Sequence, residues 1–221
     1  MSGPAAPARR RAVDYRLYLV TDSGLSRGRS AGLIVAAALR GGVTVVQYRE
    51  KAGSTRDMVA EAREIRLRCA DAGVPFIVND RLDIALAVDA DGVHVGQEDL
   101  PAATARQLIG PGRILGVSAG SIGEAQRAEA DGADYLGASP VFDTPTKPDA
   151  PPAVGLEGLR RMAAAVRIPV VGIGGMNAGN AAAIISAGAA GVAVVSAIVS
   201  AEDVEAAARA IRRVVDRGKR T

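Results

Sequence analysis

The 221 residues carry 27 Lys and Arg against 24 Asp and Glu, a formal net charge of +3, with 48% hydrophobic residues, no tryptophan and 3% aromatics. Such a length and apolar content exclude a small stapled module and supply one large core, which must be built from Val, Ile, Leu and Ala. The positive excess sits in Arg9, Arg10 and Arg11 at one end and Arg217, Lys219 and Arg220 at the other, and without a basic stripe interleaved with stacking aromatics the composition argues against a nucleic-acid partner. Cys69 is the only cysteine and falls among helix formers, so no internal disulfide can form and a reducing compartment is expected. No signal-peptide core and no run of about 18 apolar residues occurs, which argues against a membrane partner and sets a cytoplasmic location as the expectation.

A tail is expected over 1–13. From there short β-branched runs alternate with Ala-rich stretches to the end of the chain. Strands are predicted at 17–20, 44–48, 76–79, 92–95, 115–118, 135–138, 170–173 and 192–196, each short and apolar enough to be a buried parallel strand. Helices are predicted at 30–40, 55–72, 82–88, 102–109, 122–131, 156–165, 178–187 and 204–217. Gly73, Gly132 and Gly188 follow three of them as left-handed C-caps. Eight strand–helix pairs predict an α/β protein, a single (β/α)₈ TIM barrel over 14–217, with a second tail at 218–221. A doubly wound open sheet is the alternative, but no Gly-rich fingerprint follows the first strand. The one long irregular stretch, 140–155, reads as a functional loop or lid.

In such barrels the site forms at the C-terminal ends of the strands. The second strand runs into Gln47-Tyr48-Arg49-Glu50-Lys51, and period-two alternation turns Gln47, Arg49 and Lys51 to one side. A forked guanidinium, an ammonium and an amide suit a diphosphate, although a solvated strand end has the same look. Asn79-Asp80 ends the third strand and Gln97-Glu98-Asp99 follows the fourth. Carboxylates on neighbouring strand mouths can share a hard cation, so Asp80 and Asp99 are candidate Mg²⁺ ligands, with helix N-capping as the competing role. His94, the sole histidine, lies inside the fourth strand and is expected to be structural, since one histidine cannot build a histidine zinc site. Ser118 ends the fifth strand as a hydroxyl donor or a helix entry. Thr144, Thr146 and Lys147 lie in the proline-stiffened loop after the sixth strand. Gly174-Gly175 and Val195-Ser196 end the last two strands, where loops commonly cradle phosphate, or where a tight turn needs glycine for its geometry alone.

Taken in order, Gln47 to Lys51, Asn79-Asp80, Gly96 to Asp99, Ser118, Thr144 to Lys147, Gly174-Gly175 and Val195-Ser196 resemble the thiamine-phosphate synthase family over nearly all eight units. The resemblance implies coupling of 4-amino-5-hydroxymethyl-2-methylpyrimidine diphosphate to a thiazole phosphate, or to its carboxylated tautomer with loss of CO₂, through a dissociative, carbocation-like step. By the same resemblance Gln47, Arg49, Lys51, Asn79, Ser118 and Lys147 bind the pyrimidine diphosphate, with Arg49, Ser118 and Lys147 catalytic and Asp80 and Asp99 on Mg²⁺. Thr144, Thr146, Gly175, Val195 and Ser196 would hold the thiazole phosphate. Asp143 stands where the family pattern has proline or a small residue. The partners expected are two small-molecule substrates, and nothing in the sequence specifies an oligomeric state. Two rival readings are a thiazole tautomerase of the same superfamily, which needs no diphosphate site, and a non-catalytic phosphate-binding barrel, which needs the glycine loops alone.

Overall fold

The apolar runs become eight strands, β1 Leu17–Val20, β2 Val45–Tyr48, β3 Phe76–Asn79, β4 Gly92–Val95, β5 Ile114–Ala119, β6 Tyr135–Ala138, β7 Val170–Ile173 and β8 Gly191–Val194. All pair in parallel in chain order, and β8 returns to β1 with Val192 opposite Leu17, which closes the barrel. The computed structural model describes residues 12–144 and 152–218. Thr146, Lys147, the expected N-terminal tail up to residue 11 and the last three residues of the expected C-terminal tail lie outside the described residues.

Helices cover the outside: α1 Ala31–Arg40, α2 Thr55–Asp71, α3 Leu82–Ala87, α4 Ala102–Ile109, α5 Ile122–Ala130, α6 Gly155–Ala165, α7 Ala181–Ser186, α8 Ser196–Val199 and α9 Val204–Gly218. Ser30, Ser54 and Ser121 cap α1, α2 and α5 by accepting the N–H three residues on, each cap contributing about 1 kcal/mol. Gly73, Gly132 and Gly188 take φ of 65°, 92° and 96° at the helix exits, as their positions in the sequence predict. The last helix buries a stripe of Val204, Ala208, Ile211 and Val215 and packs on α1 and α7. No described helix is long and apolar enough to cross a membrane.

Strand alternation divides the core in two. On β1, Leu17 and Leu19 face the helices while Tyr18 and Val20 face the barrel axis with Val45, Ile77, Tyr135 and Val171. Both faces of the strands are thus buried, which is why they read as continuous apolar runs.

Two boundaries differ from the sequence prediction by more than one residue. The seventh helix starts at Ala181 rather than 178, because Asn177 Oδ1 accepts from Gly179 N at 2.8 Å and Asn180 Oδ1 accepts from Asn177 N at 2.9 Å. Such side-chain bonds give the backbone a turn that competes with the helix. The eighth strand stops at Val194, and Ser196 opens the short extra helix α8 instead of ending the strand. At the base of the irregular loop, Val154 N donates to Pro140 O at 2.9 Å and Gly155 N to Val141 O at 3.1 Å, so the two ends of that stretch are tied together.

Candidate active site

At the C-terminal mouth a cavity of about 170 Å³ is lined by nine of the residues singled out in the sequence: Gln47, Arg49, Lys51, Asn79, Asp80, Asp99, Ser118, Thr144 and Val195. Gly175 and Ser196 do not line it. Gly175, at φ 67°, lies under the loop after β6, where an added Cβ would meet Phe142 Cβ at 3.0 Å and Asp143 O at 3.2 Å. Its glycine is therefore required by backbone conformation and close packing.

The three polar residues of β2 sit at different depths. Gln47 is 5% exposed and its Nε2 donates to Tyr18 Oη at 2.8 Å inside the barrel, so it forms part of the cavity floor. Arg49 and Lys51 stand above it at the rim. The Arg49 guanidinium is ion-paired with Asp22, and its backbone N donates to Thr21 Oγ1 at 2.9 Å. Lys51 Nζ lies 2.5 Å from Asp80 Oδ2, with the lysine side chain 57% exposed and the aspartate 19%. Both cations are held at the mouth by carboxylates. Asp22 was not singled out in the sequence. Its signal was the polar end of β1, Thr21-Asp22, which register places beside the end of β2.

Neither aspartate caps a helix. The cap position of α3 is Arg81 without a side-chain cap bond, and Asp80 adopts φ 58°, which turns its carboxylate to Lys51. The cap position of α4 is Pro101, while Asp99 Oδ2 accepts from Gly96 N at 2.7 Å. Burial first, then a hydrogen bond with Asp80 and its negative charge, push the Asp99 carboxyl above its ordinary range, against the pull of Gly96 N–H and Lys51. The two carboxylates thus meet as a like-charged pair that a cation would relieve. Among the described residues no group of three or more such ligands forms, and the Asp80–Asp99 pair offers two hard oxygen donors. That fits Mg²⁺, which takes one or two carboxylates and completes its shell with waters and phosphate oxygens.

His94 lies inside β4 as the sequence predicts, but it also lines the cavity. Its Nδ1 is 2.9 Å from Tyr135 Oη and its Nε2 2.9 Å from Ser118 Oγ. The Ser118 carbonyl accepts from Gln97 Nε2 at 2.6 Å, so both ends of that serine are held. Burial pulls the His94 pKa from 6.5 down to about 4, with the charge of Asp99 acting the other way. The unfolded chain takes up this proton near pH 6.5 and the folded chain only near 4. Stability from this group is therefore fully present above 6.5 and falls as pH drops through that window. Urea unfolding at pH 5 against pH 7 is expected to show a loss on the order of 2 kcal/mol that a His94→Gln variant lacks. Equal pH slopes in the two proteins would mean that His94 is not the group responsible.

A closed parallel barrel with cations, paired carboxylates and a tethered serine around its C-terminal mouth defines an enzyme of the (β/α)₈ class. Comparison with known proteins narrows the class. The family model described as thiamine monophosphate synthase matches residues 17–198, and the chain belongs to that family. It is 61% identical over 203 residues to the thiamine-phosphate synthase of Chloroflexus aurantiacus, covering 92% of this chain and 94% of that relative. Against the Moorella thermoacetica thiamine-phosphate synthase it is 57% identical over 205 residues, covering 93% and 98%. A solved thiamine phosphate pyrophosphorylase from Pyrococcus furiosus shares 42% identity and a TM-score of 0.86, over 93% of this chain and 97% of that one. The family is one of transferases.

Proposed function

We propose that this chain couples 4-amino-5-hydroxymethyl-2-methylpyrimidine diphosphate to thiazole phosphate, or to its carboxylated tautomer with loss of CO₂, giving thiamine phosphate and diphosphate. The observation that carries this reading is the meeting of Arg49 and Lys51 with Asp80 and Asp99 on one cavity. A leaving diphosphate needs both kinds of group, cations for its oxygens and carboxylates for the metal that accompanies it.

Asp80 and Asp99 would hold Mg²⁺, whose contribution when bound is to neutralise charge growing on the diphosphate oxygens. Lys51, mostly exposed and resting on Asp80, can then swing to a phosphate oxygen as a point charge. Arg49 turns its fork from Asp22 to the same group. Ser118 donates its hydroxyl, and Asn79 and Gln47 orient the pyrimidine end. Lys147 takes a diphosphate-binding and catalytic role by family resemblance. Thr144, Thr146, Gly175, Val195 and Ser196 take the thiazole phosphate, at loops that frequently hold phosphate in these barrels.

In the reaction the bond from the pyrimidine methylene carbon to the diphosphate oxygen breaks, and the aminopyrimidine ring delocalises the positive charge. The thiazole nitrogen then bonds to that carbon. Electrostatic stabilisation of the leaving group supplies the acceleration, so no strong general base is demanded, which suits a buried His94 engaged at both nitrogens. A cytoplasmic setting accompanies this reading, in keeping with a buried free thiol at Cys69.

The test is release of diphosphate together with thiamine phosphate. Both are expected with the two substrates and Mg²⁺, and neither after chelation. Absence of diphosphate release with all components present would overturn the synthase reading and leave the tautomerase, which has no use for the rim cations.

A further inference from the structure

A single hydrogen-bonded chain crosses the inside of the barrel from β2 to β5. Gln47 Nε2 donates to Tyr18 Oη at 2.8 Å, the Tyr18 and Tyr135 hydroxyls lie 2.6 Å apart, Tyr135 Oη is 2.9 Å from His94 Nδ1, and His94 Nε2 is 2.9 Å from Ser118 Oγ. Gln47, Tyr18, Tyr135 and His94 are buried, together forming the floor of the cavity. The contact between His94 and Tyr135 exists because β5 presents a glycine between them. Register sets Gly116 beside both, and a Cβ there would lie 2.3 Å from Tyr135 Oη and 2.4 Å from His94 Nδ1.

The chain has a direction. Its first member is an amide NH₂, which can donate and cannot accept. Tyr18 therefore receives and passes its own hydrogen to Tyr135, and Tyr135 passes its hydrogen to Nδ1. A neutral imidazole that accepts at Nδ1 carries its hydrogen on Nε2 and donates it to Ser118. The hydroxyl hydrogen of Ser118 is then left over, on a residue that lines the cavity. Were His94 charged, both ring nitrogens would donate. Tyr135 would have to donate back to Tyr18, whose hydrogen would face two donors and no acceptor, a buried unsatisfied group costing about 1–3 kcal/mol.

We propose that Tyr18, Tyr135 and His94 are positioning residues that fix Ser118 as a hydrogen-bond donor aimed into the cavity, at an oxygen of the substrate that becomes more negative as the reaction proceeds. The identity of that oxygen, on the leaving diphosphate, rests on the synthase reading; the direction of the chain does not.

Because His94 is the only histidine, ¹⁵N-histidine labelling reports on one imidazole without assignment. At neutral pH the wild-type protein is expected to carry the hydrogen on Nε2, and Tyr135→Phe to lose that preference, since Nδ1 has lost its donor. Kinetically, Tyr135→Phe is expected to lower kcat about tenfold in the wild-type background and to have no further effect in a Ser118→Ala background, because the two act through one hydroxyl. A role confined to packing would lower the rate by the same factor in both backgrounds. Tyr18→Phe completes the same cycle should Tyr135→Phe fail to fold. A hydrogen on Nδ1 in the wild type, or losses that multiply, would overturn the proposal. A wild-type enzyme releasing no diphosphate would instead overturn the synthase reading, while the tautomer measurement would still decide the direction of the chain.

Discussion

Replacing Asp80 by asparagine is expected to lower kcat/KM about a thousandfold while leaving the barrel folded. Asparagine is the informative substitution because Asp80 holds a left-handed backbone conformation at φ 58°, which Asp and Asn tolerate and alanine does not. The variant therefore keeps shape and backbone and removes one charge. That charge has two uses in the proposed site. It anchors Lys51 at 2.5 Å before substrate arrives, and with Asp99 it holds the cation that accompanies the diphosphate. Loss of one of two carboxylates should raise the Mg²⁺ concentration needed for half-maximal rate as well as lower the rate at saturation. A Mg²⁺ titration of diphosphate release, with thermal unfolding alongside, checks both parts. Near wild-type kcat/KM in this variant would remove Asp80 from the metal site.

The second large effect is expected at Gly116, between two rings inside the barrel. Gly116→Ala should destabilise the protein by about 3 kcal/mol and take activity with it. The new methyl would arrive 2.2 Å from Tyr135 Cζ and 2.4 Å from His94 Nδ1. Neither ring has an easy retreat. Tyr135 packs against Tyr15 at a centroid distance of 4.8 Å and Tyr18 at 5.8 Å, and His94 is bonded at both nitrogens. Gly112→Ala, where an added Cβ meets nothing within 4 Å, serves as the control and should change stability by no more than about 0.5 kcal/mol. Urea unfolding of the two variants compares them directly, and similar midpoints would mean that the interior rings move aside freely.

The barrel frame was legible because buried parallel strands leave unbroken apolar runs between capped helices. Runs such as Phe76–Asn79 and Tyr135–Ala138 end where the strands end. The start of α7 and the existence of α8 were not legible, since they depend on local bonds from Asn177 and Asn180 and on the backbone turn at Val195. The rim of the site could be read from polar strand ends, as the fold brings every C-terminal end to one mouth. Its floor could not. Tyr18 and Tyr135 look like ordinary strand aromatics, and the bond between them joins residues 117 apart in sequence, a pairing that only closure of the barrel creates. The same holds for Asp22, whose partner Arg49 is 27 residues away.

Closure has a further consequence, in the order of synthesis. The strand that seals the barrel against β1 is β8, with Val192 opposite Leu17, and Arg16 beneath the seam bonds Asp216 of α9 at 2.7 Å. A chain emerging from the ribosome amino end first thus presents β1 with one edge open until β8 has emerged. An open edge is a template for pairing with another chain. Stalling translation before β8 emerges should therefore yield more aggregate than stalling once α9 has cleared the ribosome.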